Sequence, residues 1–226
     1  EKRLREVKPA TVRADLVQLQ AALNWARRHM LKDKGTYTLA KPSDGASRDL
    51  WINEDQEAEI YEKMAAARID VRLFFRMGLT YGARKRAMLE LEFGSQVDWI
   101  KGWIDFNRPD ARQTRKRRPA GPMTPDLRPD LAARFEEVGG GRVLRGESTY
   151  GAYREFMDSI GYGWVTPHVL KHSCITLQCR AGVDEMTVAK VTNTTLATIS
   201  KNYRHHSEDE LIEAMTRRRQ TNRSVS

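Results

Sequence analysis

Arg84 stands in Thr80-Tyr81-Gly82-Ala83-Arg84, where a glycine ends one helical pattern and another begins. A planar guanidinium there can lay two charge-assisted hydrogen bonds on a phosphate, and a helix N-terminus would add positive potential. Downstream, His168 and Lys171 fall in Thr166-Pro167-His168-Val169-Leu170-Lys171-His172. Three-residue spacing puts both side chains on one face at the start of a helix. The imidazole can hydrogen-bond a phosphate oxygen or relay a proton, and the ammonium can neutralise the same phosphate. Asn193, in Val191-Thr192-Asn193-Thr194-Thr195, can donate a hydrogen bond to a phosphate oxygen but carries no charge. Arg112, Arg115, Lys116, Arg117 and Arg118 crowd one segment ahead of Pro119, a density that contacts phosphates without reading sequence. Tyr203, in Lys201-Asn202-Tyr203-Arg204-His205, closes the set. Its hydroxyl is a poor nucleophile at neutral pH. To attack a phosphate it needs cationic and proton-donating neighbours of this kind.

Each residue alone has an ordinary reading. Arg84, beside Lys85 and Arg86, fits the surface of a charged helix, and the Thr166 string fits any capped amphipathic helix. The 112–118 run fits a solvated loop, and a lone tyrosine at a helix end is usually a packing residue. In this order and spacing, however, the strings resemble the catalytic boxes of the tyrosine recombinases, the phage-integrase family, which cut and rejoin DNA through a phosphotyrosine link. Gly82-Ala83-Arg84 is similar to that family's Thr-Gly-x-Arg, and Thr-Pro-His-x-Leu-Lys-His to its His-x-x-Arg box. Val191–Thr195 stands where the family has Leu-Gly-His-Ser, and the run from Thr195 to His205 keeps the family's spacing to Tyr-x-His.

The resemblance covers roughly 50–220. It implies that Tyr203 attacks the scissile phosphate while Arg84, His168, Lys171 and Asn193 stabilise the five-coordinate transition state. The family carries a catalytic lysine on a β-hairpin, placed to protonate the leaving sugar oxygen. Lys116 is the lysine available for that role here, with Arg115 as the alternative. The implied partners are double-stranded DNA, further copies of the chain in a tetramer on two DNA sites, and accessory DNA-bending or directionality factors. Neither a metal nor another cofactor is implied. Three positions depart from the family pattern. Ala87 replaces a glutamate three residues after the arginine, Lys171 replaces an arginine, and Asn193 replaces a histidine or tryptophan. Two other readings stay open: a relative that binds DNA but cleaves weakly, and a basic helical nucleic-acid-binding module without chemistry.

Composition agrees with a polyanion partner. The 226 residues carry a net charge of +9, with 40% hydrophobic and 31% charged residues, enough for one large domain and part of another. No apolar run approaches the roughly 20 residues that a membrane span needs. The opening Glu1-Lys2-Arg3 has no signal-peptide pattern. Cys174 and Cys179 lie five apart on a helical pattern, on different faces, so reduced thiols are expected. A bacterial cytoplasm, or the nucleoid within it, fits these features.

The elements that must position these residues are mostly helices. Residues 11–32 carry Val12, Leu16, Leu19, Leu23, Ala26 and Met30 at steps of four and three, an amphipathic stripe. Residues 33–50 lose that period and read as a linker. Residues 1–45 are expected to form the C-terminal part of a helical core-binding domain with its linker, and 46–226 the catalytic domain. Within the latter, Asn53 and Gln56 predict a helix start, followed by helices over 70–80 and 83–93. A hairpin is expected over 96–100 and 103–106, with a further strand between 112 and 124. Helices are then expected over 126–138, 148–160, 166–182, 184–191 and 195–203, with a last one from Glu208. The expected fold is mainly α with a small antiparallel sheet.

Overall fold

The structure is a computed structural model that describes residues 7, 9–30, 35, 38–42, 50–109 and 118–203, the last three by backbone alone. Lys116, Arg112, Arg115, Arg117 and the helix expected from Glu208 lie outside the described residues. The chain divides into two compact units, Glu1–Asp49 and Leu50–Ser226.

In the first unit, α1 runs over Pro9–His29 and ends on Arg27, Arg28 and His29, cations placed where the helix dipole favours them. The expected stripe is only partly covered. Val12 is buried, Leu16, Leu23 and Ala26 are half-buried, and Leu19 and Met30 are exposed. Two bonds hold described linker residues beside the helix: the Leu39 N–H donates to Gln20 Oε1 at 2.8 Å, and Arg13 donates to the Pro42 carbonyl at 2.8 Å.

In the second unit, Asn53 and Gln56 close a reciprocal capping box at the start of α2, Glu54–Met64. The next helix, α3, Ile69–Tyr81, buries Val71, Leu73, Phe74, Phe75, Met77, Leu79 and Tyr81. A helix apolar on nearly all sides belongs in the centre of a core. Around α3 pack α6 (Leu127–Val138), α7 (Glu147–Ser159) and α8 (Pro167–Arg180). Gly82 ends α3 in the left-handed conformation, φ 58°, which glycine adopts at little cost.

The helix expected over 83–93 is broken. A five-residue α4, Lys85–Leu89, is followed by α5, Phe93–Gln96. Between them the backbone is pulled into non-local pairing. The Val143 N–H donates to the Leu91 carbonyl and the Phe93 N–H to the Gly141 carbonyl, each at 2.9 Å. The sheet is antiparallel in the order β1 (Val97–Asp98), β2 (Trp103–Asp105), β3 (Ala120–Pro122). Trp103 pairs with Pro122 and Asp105 with Ala120. These strands are shorter than expected, because Asp98 Oδ1 takes the Ile100 and Lys101 N–H groups into a turn. The sheet meets α3 through Tyr81, whose hydroxyl donates to the Pro122 carbonyl at 2.7 Å.

The chain's last described elements are α9, Glu185–Thr192, and α10, Leu196–Tyr203. A small second core of Ile175, Val188 and Ile199 joins α8, α9 and α10. Among the described residues no helix is long and apolar enough to cross a membrane.

Candidate functional site

Three consecutive basic residues follow the Gly82 turn, and their surroundings separate them. Lys85 turns to Glu147 at 3.1 Å and lies over the Tyr150 ring. Arg86 pairs with Glu90 at 2.7 Å. Arg84, the N-cap of α4, is exposed and has no carboxylate partner among the described residues. Its position owes little to α4 itself, since five residues make a weak dipole. Instead it follows from the left-handed Gly82 turn and from Ala83, which is fully buried. Ala87, where a family-type glutamate would stand, packs into the core at 3% exposure.

Lys171 reaches the same turn from α8. Its Nζ donates to the Gly82 carbonyl at 3.3 Å and to the Thr192 carbonyl at 2.7 Å. Burial, and after it the charge of Arg84, pushes the ammonium down to about 8. Thus Arg84 and Lys171 form a pair of neighbouring cations. α8 begins where the sequence places it, with Thr166 Oγ1 accepting from the Val169 N–H and Pro167 in the first turn. It lies close against α3 because Gly78 has no side chain there: a Cβ would stand 2.6 Å from Leu170 Cδ1.

His168 is exposed in the first turn of α8, one turn before Lys171. Its Nε2 lies 3.1 Å from His172 Nε2, with the rings edge to face at 4.6 Å. At that separation one ring nitrogen can donate to the other, so His172 helps to orient His168.

Asn193 caps the C-terminus of α9 in the left-handed conformation, φ 47°. Among the described non-glycine residues it alone has positive φ. That is the conformation a glycine often supplies at a helix end. Thr194 follows it, its Oγ1 enclosed and without a hydrogen-bond partner among the described residues.

Tyr203 is the last residue of α10, a helix anchored through Ile199 on Ile175 and Val188. The fold therefore carries Arg84, Lys171 and Asn193 into one neighbourhood and places His168 one turn from Lys171. Arg118, by contrast, is tied down: its guanidinium pairs with Glu90 and donates to the Phe106 carbonyl at 3.4 Å. Arg86 first, with Arg118 supporting it, holds the Glu90 carboxyl down to about 2. Cys174 and Cys179 are free, and burial pushes the Cys174 thiol up to about 12. A cavity of about 550 Å³ lies among Glu54, Tyr61, Thr80, Gln178 and Arg180, and none of the candidate residues lines it. No group of three or more His, Cys, Asp or Glu comes together among the described residues.

Solved structures share this fold. The Tn1549 transposon integrase in complex with transposon right-end DNA matches with a TM-score of 0.74 at 14% identity, over 95% of this chain and 81% of its own. XerA recombinase matches at 0.59 and 17% identity, over 79% and 67%. Lambda integrase, as a dimer bound to a COC′ core site, matches at 0.62 and 16% identity, over 89% of this chain and 61% of its own. It also matches as a tetramer bound to a Holliday junction. No family model and no curated protein matches the chain. The likeness establishes the fold, which is that of the tyrosine-recombinase catalytic domain, mainly helical with a small antiparallel sheet.

Proposed function

We propose that this chain is a site-specific DNA recombinase that cleaves and rejoins duplex DNA through a 3′-phosphotyrosine intermediate. The observation that carries the reading is the pair Arg84 and Lys171, two adjacent cations with no carboxylate partner among the described residues. Neighbouring like charges repel each other, and an anionic ligand relieves that repulsion. A phosphodiester is such an anion, and the fold is one that its solved neighbours place on DNA.

In this mechanism Arg84 grips the non-bridging oxygens of the scissile phosphate, and His168 hydrogen-bonds or exchanges a proton there. Lys171 supplies charge behind them, and Asn193 offers a hydrogen-bond donor. The Tyr203 hydroxyl gives up its proton to a base such as His168, and its oxygen forms a bond to phosphorus as the bond to the 5′ oxygen breaks. Lys116, or Arg115, protonates that leaving oxygen. The phosphotyrosine conserves the energy of the broken phosphodiester, and attack by a 5′ hydroxyl reverses the step and frees Tyr203. The lambda integrase tetramer on a Holliday junction supports assembly of this chain as a tetramer on two sites. A division into a core-binding part over 1–45 and a catalytic domain over 46–226 completes the reading. Lysine at 171 and asparagine at 193 favour a second reading, in which the chain binds DNA and cleaves slowly, since neither offers the family's charged fork or ring. Denaturing electrophoresis after incubation with nicked target duplex tests the proposal. A covalent protein–DNA adduct is expected, and its absence on every target supplied leaves the DNA-binding reading.

A further inference from the structure

Resting on that reading of the site, we infer that Lys171 is a positioning residue: its ammonium caps the C-termini of two helices at once and so sets the turns that carry Arg84 and Asn193. The two carbonyls it binds are not arbitrary. Gly82 is the C-cap of α3, and Thr192 is the last residue of α9. The last carbonyls of a helix have no partner within it, and the dipole makes that end attractive to a cation. Lys171 answers both needs for two helices, with bonds of 3.3 and 2.7 Å. Both termini leave their helix through a left-handed residue, Gly82 at φ 58° and Asn193 at φ 47°. Arg84 lies two residues beyond the first carbonyl, and Asn193 directly follows the second. A shift at either carbonyl therefore moves a residue of the proposed phosphate site.

The packing leaves little alternative for the side chain. A Cβ on Gly82 would meet Lys171 Cγ and Thr192 Cγ2, each at 3.4 Å, and Cys174 Sγ at 3.5 Å. The lysine stem thus runs through a filled passage to reach the two carbonyls. An ammonium has three N–H donors, and two are engaged here. The charged group that faces it from the α3–α4 turn is Arg84. On its own helix its neighbours are the Cys174 thiol and, three residues before and one after, His168 and His172. A neutral amine keeps two N–H groups, so the tie survives loss of the proton, whereas the charge near the phosphate does not. Lysine therefore separates two duties, holding the turns and contributing charge, of which only the second is pH-dependent.

Backbone amide hydrogen exchange in the DNA-free protein tests the tie without reference to catalysis. Lys171→Met keeps the stem and removes the donors, Lys171→Gln keeps two N–H groups without charge, and Lys171→Arg keeps donors and charge. Lys171→Met is expected to speed exchange about tenfold or more in both 82–88 and 192–196, and Lys171→Arg to restore protection in both. Raising the wild type to pH 9.5 should leave protection in the two turns unchanged, after correction for the intrinsic exchange rate. If Lys171→Met fails to fold, Lys171→Gln and the pH series carry the comparison. Unchanged exchange in either turn of Lys171→Met, or protection lost in Lys171→Gln or on deprotonation of the wild type, overturns the inference. Single-turnover adduct formation on saturating nicked duplex should fall in Lys171→Met and recover in Lys171→Arg. If the wild type forms no adduct, the recombinase reading fails while the exchange result still decides the role of Lys171.

Discussion

Leu170 Cδ1 lies 2.6 Å from the point where a Cβ on Gly78 would stand. This contact sets how close α8 comes to α3, and α8 carries His168 and Lys171. Gly78→Ala gains about 0.5–1 kcal/mol of helix propensity, but overpacking a filled core costs about 1–3 kcal/mol. The second effect wins because Leu170 is fully buried and its Cβ also stands 3.2 Å from the same point, so a rotation of its side chain alone does not clear the space. Denaturant unfolding should show a net loss of about 1–2 kcal/mol, and the double variant Gly78→Ala/Leu170→Val should recover part of it. A Gly78→Ala protein as stable as the wild type would mean that α8 can back away freely.

Binding to duplex DNA should weaken linearly in log–log form with salt, with a slope of about −0.9 per phosphate neutralised. The structure ranks the contributions of neighbouring residues. Arg84→Gln should make the slope shallower by about one, since that guanidinium is free to meet a phosphate. Arg86→Gln should change it less, because Arg86 is already paired with Glu90. Filter binding or fluorescence anisotropy from low to physiological salt reads both. Equal effects from the two variants would show that pairing with Glu90 does not hold Arg86 back from DNA.

Much of this arrangement is legible in the chain because its signals are local. Asn53 with Gln56, and Thr166 with Pro167, mark helix starts within four residues, and Gly82 and Gly139 mark ends through the one conformation they favour. What sequence alone misses is set by partners far along the chain. The break at Leu91 comes from Val143, the neutralisation of Arg118 from Glu90, and the Lys171 tie from Gly82 and Thr192. Asn193 lies between the two cases. Its role as a cap follows from asparagine's tolerance of positive φ, whereas the Lys171 bond to the carbonyl just before it comes from a residue far along the chain.

Lys171 should give the reaction an alkaline limb. Burial, then Arg84, lowers the ammonium to about 8, below its value in the unfolded chain. For stability the sign is therefore favourable with rising pH. The cost of a buried charge is fully present below about 8 and disappears as pH climbs toward the ordinary lysine value. For phosphate affinity the sign is opposite, because the charge is lost over the same window. DNA affinity should fall above about pH 8 in the wild type and stay flat in Lys171→Arg, whose guanidinium remains charged. Anisotropy titrations from pH 7 to 9.5 at constant ionic strength check this. Parallel profiles would show that the Lys171 charge is not felt at the DNA.

Tyr203 ends α10, and the helix is held by Ile199 at 1% exposure against Ile175 and Val188. Tyr203→Phe removes one oxygen and leaves the anchor untouched, so folding and DNA affinity should match the wild type. The covalent adduct should vanish entirely, since no other atom of the ring can attack phosphorus. Ile199→Ala does the reverse. It keeps the Tyr203 hydroxyl and empties part of the anchor, at a cost of about 2–5 kcal/mol if the cavity does not collapse. Adduct formation should then slow while remaining measurable, because α10 still delivers the hydroxyl for part of the time. The two variants together separate chemistry from placement. An adduct that persists in Tyr203→Phe assigns the nucleophile elsewhere, and one that forms at full rate in Ile199→Ala frees α10 from any role in presenting it.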